Sequence, residues 1–398
     1  MSSCELLIVS HKDTKEFRDA EPHFHYSFHH EVGLRVVQIL PTLDRGGAEK
    51  QMTLLACEMA QRGIDVHVIV LTRTGPLEET LKRAGVPMHF IDKRFKIDPS
   101  AYFSLKRQLK KLQPDLVHTW IFAANVYGRQ AALAAGVPHL IAGERCVDRW
   151  KRWHELAIDR RLAKRTSWIA TNSSGVRDFY VKHGISDDKF VIVPNGIPPT
   201  SVEPISEEQF FERTGLPTGC RRVVAVGRLW PQKCYKDLIC AIELLKATHD
   251  DVNLCIVGDG PQHDQLTSCR DELELQDNVH FLGHRDDVAQ LLPHFNYFWI
   301  GSAYEGQSNA LMEAMLAGLP VVASDIPGNR DLIAHEVHGL LFPLGDRAEL
   351  ARCTHRLFED GELAKRLGHS ANARMVDEFS VRKMVDRYVQ LYRCTIEG

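Results

Sequence analysis

The sequence predicts an α/β protein of two doubly wound domains, each a parallel sheet covered by helices on both faces. Three observations carry this expectation. From about residue 34 onwards, short apolar runs alternate with longer stretches of helical character. The short runs are apolar throughout rather than at every second position, as strands buried on both faces of a parallel sheet must be. The rhythm breaks once, at Pro194-Asn195-Gly196-Ile197-Pro198-Pro199 and Pro204, and then restarts. Proline at that density suits a linker, and 398 residues are enough for a domain on either side of it.

Taken in order, residues 1–31 read as a polar extension. Its His23, His25, His29 and His30 invite a metal reading. Nothing rigid is expected to hold those imidazoles, so a flexible leader is the plainer account. Strands are predicted over 34–40, 66–71, 115–120, 140–142, 167–171 and 190–193, with helices over 48–62 and 76–84 and an alanine-rich helix before residue 140. After the break, strands are predicted over 222–226, 254–257, 279–282, 295–300 and 321–323. Beyond about residue 346 the chain reads as helical to about residue 394.

Composition narrows the function classes. An apolar share of 44% and a charged share of 25% are those of a soluble globular protein. The formal net charge of −3 gives no electrostatic case for nucleic acid. No apolar run approaches the roughly 20 residues that span a bilayer, and the first one, residues 6–9, is too short for a signal peptide. The ten cysteines form no Cys-x-x-Cys pair and suggest neither a disulfide framework nor a zinc site. A reducing cytoplasm is the expected setting.

The informative motifs all follow predicted strands. Glu305-Gly306-Gln307-Ser308-Asn309 leads into a helix that contains Glu313. Ser308 or Asn309 can cap that helix, and the amides of its first turn then form an anion site. Two carboxylates eight residues apart suit sugar hydroxyls, which need acceptors. Gly227-Arg228-Leu229, followed by Lys233, sets two cations beside a strand end where a diphosphate fits. Gly258-Asp259-Gly260-Pro261 reads as a tight turn, and Gly283-His284-Arg285 follows another strand. In the first half, Gly46-Gly47 opens a helix, His118 is read as the end of its strand, and Asn172 and Ser173 follow theirs. Residues 145–165 hold eight lysines and arginines together with Trp150 and Trp153. A solvated helix is the plain reading of that stretch, and a peripheral contact with an anionic membrane is the alternative.

Together these motifs resemble the retaining glycosyltransferases of family 4, over about residues 34–393. The resemblance implies the GT-B architecture, with two Rossmann-like domains across a cleft and C-terminal helices crossing back to the first. The domain plan becomes 1–31 extension, 32–196 acceptor domain, 197–378 nucleotide-sugar domain and 379–398 returning helix. It further implies transfer of a hexose-type sugar from a nucleoside-diphosphate sugar to a glycan or lipid-linked acceptor, with no cofactor and no metal. The chain has no Asp-x-Asp motif, the usual marker of metal-dependent transfer. The resemblance assigns catalysis to Arg228, Lys233, Glu305 and His118. The donor falls to Gly46, Gly47, Gly227, Gly258, Asp259, Arg285, Gly306, Gln307, Ser308, Asn309 and Glu313, and the acceptor to Arg145 and Asn172. The expected setting is cytoplasmic, with a peripheral contact at the inner membrane face through residues 145–165. Two alternatives share the fold or the binding chemistry: a phosphorylase or synthase, and a non-catalytic sugar-nucleotide-binding subunit of a polysaccharide assembly complex.

Overall fold

The computed structural model describes residues 33–398 apart from residues 200, 201 and 204, so the expected extension with its four histidines lies outside it. Of the described residues, those up to Gly196 together with Val381–Gly398 form one compact unit, and Ile197–Ser380 form the other.

The first unit is built on seven parallel strands: β1 (Arg35–Thr42), β2 (Asp65–Arg73), β3 (Met88–Phe90), β4 (Leu116–Trp120), β5 (His139–Glu144), β6 (Trp168–Thr171) and β7 (Phe190–Ile192). Their order is β3-β2-β1-β4-β5-β6-β7, so the direction of winding reverses between β1 and β4. β3 and the helix Pro99–Leu112 have no counterpart in the sequence-based expectation. β3 is too short to show a pattern. The helix hides its apolar stripe, Leu105, Leu109 and Leu112, among lysines, an arginine and a glutamine, and Asp98 caps it by accepting from the Ala101 amide at 3.1 Å.

The last helix, Val381–Glu397, belongs to this unit. Met384, Val385, Tyr388, Leu391 and Tyr392 are buried and pack on Val36, Leu40 and Leu55. At roughly 1.5–3 kcal/mol for each large buried side chain, this stripe contributes on the order of 10 kcal/mol of gross burial free energy. Its tyrosines also carry hydrogen bonds. Gln38 Nε2 donates to the Tyr392 hydroxyl at 3.0 Å, and the Trp120 indole donates to Gln38 Oε1 at 2.7 Å.

A second buried polar group staples the other end of the sheet. Lys151 Nζ lies 2.9 Å from Asp159, 3.1 Å from Asp148 and 3.5 Å from Glu144, and it donates to the Tyr180 hydroxyl at 2.6 Å. Arg129 pairs with Asp159 at 3.2 Å. Three carboxylates thus share two cations. Burial outweighs the lysine beside Glu144 and pushes its carboxyl up to about 7.

The second unit has six parallel strands: β8 (Arg221–Val226), β9 (Val252–Val257), β10 (Val279–Gly283), β11 (Tyr297–Ile300), β12 (Val321–Ser324) and β13 (Leu340–Phe342). They run in the order β10-β9-β8-β11-β12-β13, with the reversal between β8 and β11. β13 is a further short strand beyond the sequence-based expectation. Three helices, Arg347–Glu359, Gly361–Glu378 and Val381–Glu397, account for the predicted helical end. Among the described residues no helix is long and apolar enough to cross a membrane.

The Glu144 cluster makes a pH-dependent prediction. Glu144 binds its proton more tightly folded than unfolded, so between its ordinary value near 4.5 and about 7 the folded state holds the extra proton and stability falls as pH rises. Glu144→Gln removes that charge while keeping an acceptor for Asn125. Relative to wild type, the variant gains on the order of 2 kcal/mol between pH 5 and pH 8, measured by urea unfolding of the first unit. A difference that does not change with pH would refute the assignment.

Candidate active site

The second unit gathers the signature residues at the carboxyl edge of its sheet, on either side of the reversal. β8 runs into the loop that holds Gly227, Arg228 and Lys233, and β11 into the loop that holds Glu305 to Ser308. Strand-order reversal sends the flanking helices to opposite faces and opens a crevice at such a point. Lys233 Nζ reaches across it to Glu305 Oε1 at 2.5 Å, with the two side chains 17% and 10% exposed. Arg228 is exposed, its guanidinium 5.6 Å from the Trp230 ring centre.

Backbone contacts fix the two loops to each other and to their neighbours. The Ala303 amide donates to the Gln232 carbonyl at 2.8 Å, and Gln232 Nε2 donates to the Tyr304 carbonyl at 2.7 Å. The Tyr235 hydroxyl donates to the Gly227 carbonyl at 2.9 Å. Gly258 packs so closely on Gly227 that a Cβ would collide with its carbonyl, and a Cβ at Gly328 would collide with the Gly306 carbonyl. Gly258 also has φ +140°, where L side chains are disfavoured. These are close-packing glycines. Gln232, Tyr235 and Gly328 were not among the residues read from the sequence, because their roles depend on contacts between separate loops.

Ser308 caps the helix Asn309–Leu316, its hydroxyl accepting from the Leu311 amide at 3.4 Å, and Glu313 is half-buried on that helix. The helix dipole and the amides of its first turn favour an anion in front of it. Asp259 is exposed and accepts from the Gly260 amide at 2.7 Å. Arg285 is committed elsewhere: it forms a bidentate pair with Asp287, both bonds 2.7 Å, which holds the Asp287 carboxyl below its usual range. What remains for a ligand at this loop is backbone rather than the Arg285 guanidinium.

In the first unit, Gly46 is the N-cap of Gly47–Gln61, and the Glu49 carboxylate lies where a Gly46 side chain would project. His118 requires a correction. It stands in the middle of β4, not at its end, and is fully buried among Trp120, Tyr388 and Tyr392, with ring centres 4.5, 5.4 and 5.9 Å away. Gln38 already donates to Tyr392, so the tyrosine proton is assigned to His118 Nδ1 at 2.7 Å and the imidazole proton to Nε2. Burial, then the nearby Arg145, keeps the ring neutral. Nε2 has no partner among the described residues and faces Gly143.

Arg145 is buried as well, donating to the Tyr388 hydroxyl at 2.9 Å and to Asn195 Oδ1, with its guanidinium 5.2 Å from the Trp120 ring centre. Asn172 Nδ2 donates to the same Asn195 oxygen at 3.3 Å. The basic stretch 145–165 is therefore not one solvated helix. Only Trp153–Ala163 is helical, and Arg145 and Lys151 are interior residues bound to partners. Trp150 and Trp153 are 58% and 79% exposed.

One group of potential metal ligands lies together among the described residues: His249, His355 and Glu359. His249 follows the C-terminal end of Tyr235–Lys246, whereas Lys233 precedes its start. Twelve residues of helix, about 18 Å, separate that group from the crevice.

Comparison with known proteins agrees with this geometry. Residues 45–201 match the family model described as Glycosyltransferase Family 4, and residues 206–374 match that of Glycosyl transferases group 1. The chain is 27% identical over 387 residues to the UDP-Gal:alpha-D-GlcNAc-diphosphoundecaprenol alpha-1,3-galactosyltransferase of Escherichia coli, covering 92% of this chain and 98% of that one. It is 33% identical over 170 residues to the lipopolysaccharide core biosynthesis glycosyltransferase LpsD of Rhizobium meliloti, covering 43% of this chain and 48% of that one. Among solved structures, Anabaena HepE in complex with UDP and glucose superposes with a TM-score of 0.81 at 22% identity, over 91% of this chain and all of that one. With two parallel-sheet Rossmann-like units of the GT-B class and both family models in sequence, the chain belongs to the family 4 glycosyltransferases.

Proposed function

We propose that the chain transfers a hexose-type sugar from a uridine-diphosphate donor to a hydroxyl of a glycan or lipid-linked glycan, retaining the anomeric configuration and using no metal ion. The observation that carries this reading is the Lys233–Glu305 pair, held at 2.5 Å beside the capped N-terminus of Asn309–Leu316. A cation, an acceptor of hydroxyl protons and an anion-binding helix end stand together, which are the complementary groups a sugar diphosphate needs. The choice of uridine and of a lipid-linked acceptor is supported by the Escherichia coli relative and the HepE complexes.

In this reading a bound donor takes over both halves of the ion pair. Lys233 turns to a phosphate oxygen and Glu305 accepts from the sugar hydroxyls. Arg228 and the first-turn amides after Ser308 meet the charge that develops on the departing diphosphate, and Glu313 holds the ribose. Two cations and a helix dipole supply the positive charge that a divalent ion supplies elsewhere. Among the residues assigned to the site, Glu305 is the one acidic group placed at the sugar, and its expected partners are ring hydroxyls. A same-face displacement, with the leaving phosphate taking the acceptor proton, is therefore preferred to a covalent intermediate. His118, enclosed and neutral, positions its surroundings instead of transferring a proton. The exposed Trp153 and the neighbouring arginines are the proposed peripheral contact with an anionic membrane at the cytoplasmic face.

Two outcomes test the reading. Lys233→Ala lowers sugar transfer by about 10²-fold or more, the loss expected for one preorganised charge-stabilising group, while the fold, read by circular dichroism, is kept. Unchanged turnover would remove Lys233 from the chemistry. UDP raises the melting temperature of the wild-type chain by mass action, and EDTA leaves that shift in place. A shift that EDTA abolishes would overturn the metal-free site, and a shift with GDP in place of UDP would overturn the choice of base.

A further inference from the structure

His249, His355 and Glu359 of the second unit form a group that the crevice does not use. His355 and Glu359 stand four residues apart on Arg347–Glu359, so both project from one face of its last turns. His249 comes from elsewhere in the chain. It follows Tyr235–Lys246, and its amide donates to the Leu245 carbonyl at 2.8 Å, which continues the helical turn. Leu245 and Leu357 lie in one buried core cluster, so the C-terminal ends of the two helices are fixed against each other.

The ligand atoms lie close to where a metal ion needs them. His249 Nε2 is 2.8 Å from His355 Nδ1 and 3.8 Å from Glu359 Oε1. Tetrahedral zinc, with bonds of about 2.0–2.2 Å, sets its ligand atoms roughly 3.3–3.6 Å apart, between those two distances. His355 and Glu359 are exposed, so small rotations of their side chains complete the geometry. His249 is the fixed member: its side chain is 10% exposed, and its ring packs edge-to-face on Phe358 at 5.1 Å. As the pair stands, one imidazole nitrogen donates a proton to the other. A metal ion in place of that proton takes both lone pairs, which leaves each ring neutral with its proton on the other nitrogen.

The surrounding charges also permit a cation. Arg356, next to His355, pairs with Glu336 at 2.7 Å. Arg221, whose guanidinium lies 5.1 Å from the Phe358 ring centre, pairs with Asp251. Glu359 has no other ion-pair partner among the described residues. Both helices end here, and the negative end of a helix dipole favours a cation. Two imidazoles and a carboxylate are the donor set of zinc and its borderline neighbours, whereas magnesium and calcium take oxygen.

We propose that His249, His355 and Glu359 bind a zinc-type divalent ion, with water completing its shell, as a clamp between the ends of Tyr235–Lys246 and Arg347–Glu359. The clamp takes no part in the chemistry of the crevice, about 18 Å away along the first of these helices. The test uses the full chain stripped of metal, with His23, His25, His29 and His30 replaced by alanine in every sample so that they bind none of the added ion. Zinc chloride is titrated against a chromogenic chelator, and the melting temperature is recorded with and without UDP. One zinc binds per chain and raises the melting temperature, whereas magnesium chloride at the same concentration does neither. His355→Ala and Glu359→Gln each weaken zinc by about tenfold or more, the lower end of what even an outer partner of a metal costs. Both positions are exposed, so the variants keep the fold, read by circular dichroism. The UDP-induced rise in melting temperature is the same with and without zinc. Failure of the parent chain to bind zinc, or equal zinc affinity in the parent and both variants, overturns the site. Magnesium binding as tight as zinc overturns the assigned class of ion. A UDP-induced rise that required zinc would overturn the separation of the clamp from the crevice.

Discussion

Both sheets depend on one topological constraint: a parallel sheet wound in two directions from a central strand leaves a crevice where the directions part. In the second unit the central strands are β8 and β11, and in the first they are β1 and β4. Each helix next to the crevice begins at the carboxyl end of a strand, so its first-turn amides point to the same edge. Short loops at that edge then bear the chemistry, while the strands below are apolar and rigid. Residues 227–233 and 301–308 lie some seventy positions apart in the chain, yet the pairing of β8 with β11 makes them neighbours.

What that neighbourhood holds is an ion pair that joins two loops and is accessible enough to be replaced. At 2.5 Å and only partly exposed, Lys233 and Glu305 satisfy one another. A fully buried pair would resist opening, because either charge left alone would bear a large desolvation cost. A fully exposed pair would contribute almost nothing. The loops themselves are fixed mainly by backbone contacts, through Gln232, Gly258 and Gly328, so they do not rely on the pair to keep their shape.

Local chemistry made this half of the protein legible in the sequence. Glu305, Ser308, Glu313, Arg228 and Lys233 each sit in a short string after an apolar run, and a strand, a cap and a helix start can be inferred from neighbours within a few positions. The first unit was less legible, for a physical reason. His118 is defined by Tyr388 and Tyr392, some 270 residues later, so its burial and its mid-strand place had no local sign. Lys151 looked like one more cation in a basic run until Glu144, Asp148 and Asp159 were brought around it. Arg285 was assigned to the donor by resemblance alone, and Asp287, two residues on, takes both of its forks.

This contrast has a consequence for how the two units divide the work. In the second unit the groups proposed to meet the donor are set by backbone contacts and close-packing glycines, an arrangement that tolerates little variation. In the first unit a cavity of about 370 Å³ is walled by side chains of β1 and β5 and of the segments after β4 and β5, held by a cluster in which three carboxylates share two cations. Replacing Trp150, Phe122 or Asp148 there alters the shape and polarity of the cavity without touching a strand. Side chains on a fixed sheet edge are the cheaper place for one fold to change what it accepts, and Ile121, strained at the start of its helix, shows that this edge is already shaped by more than packing.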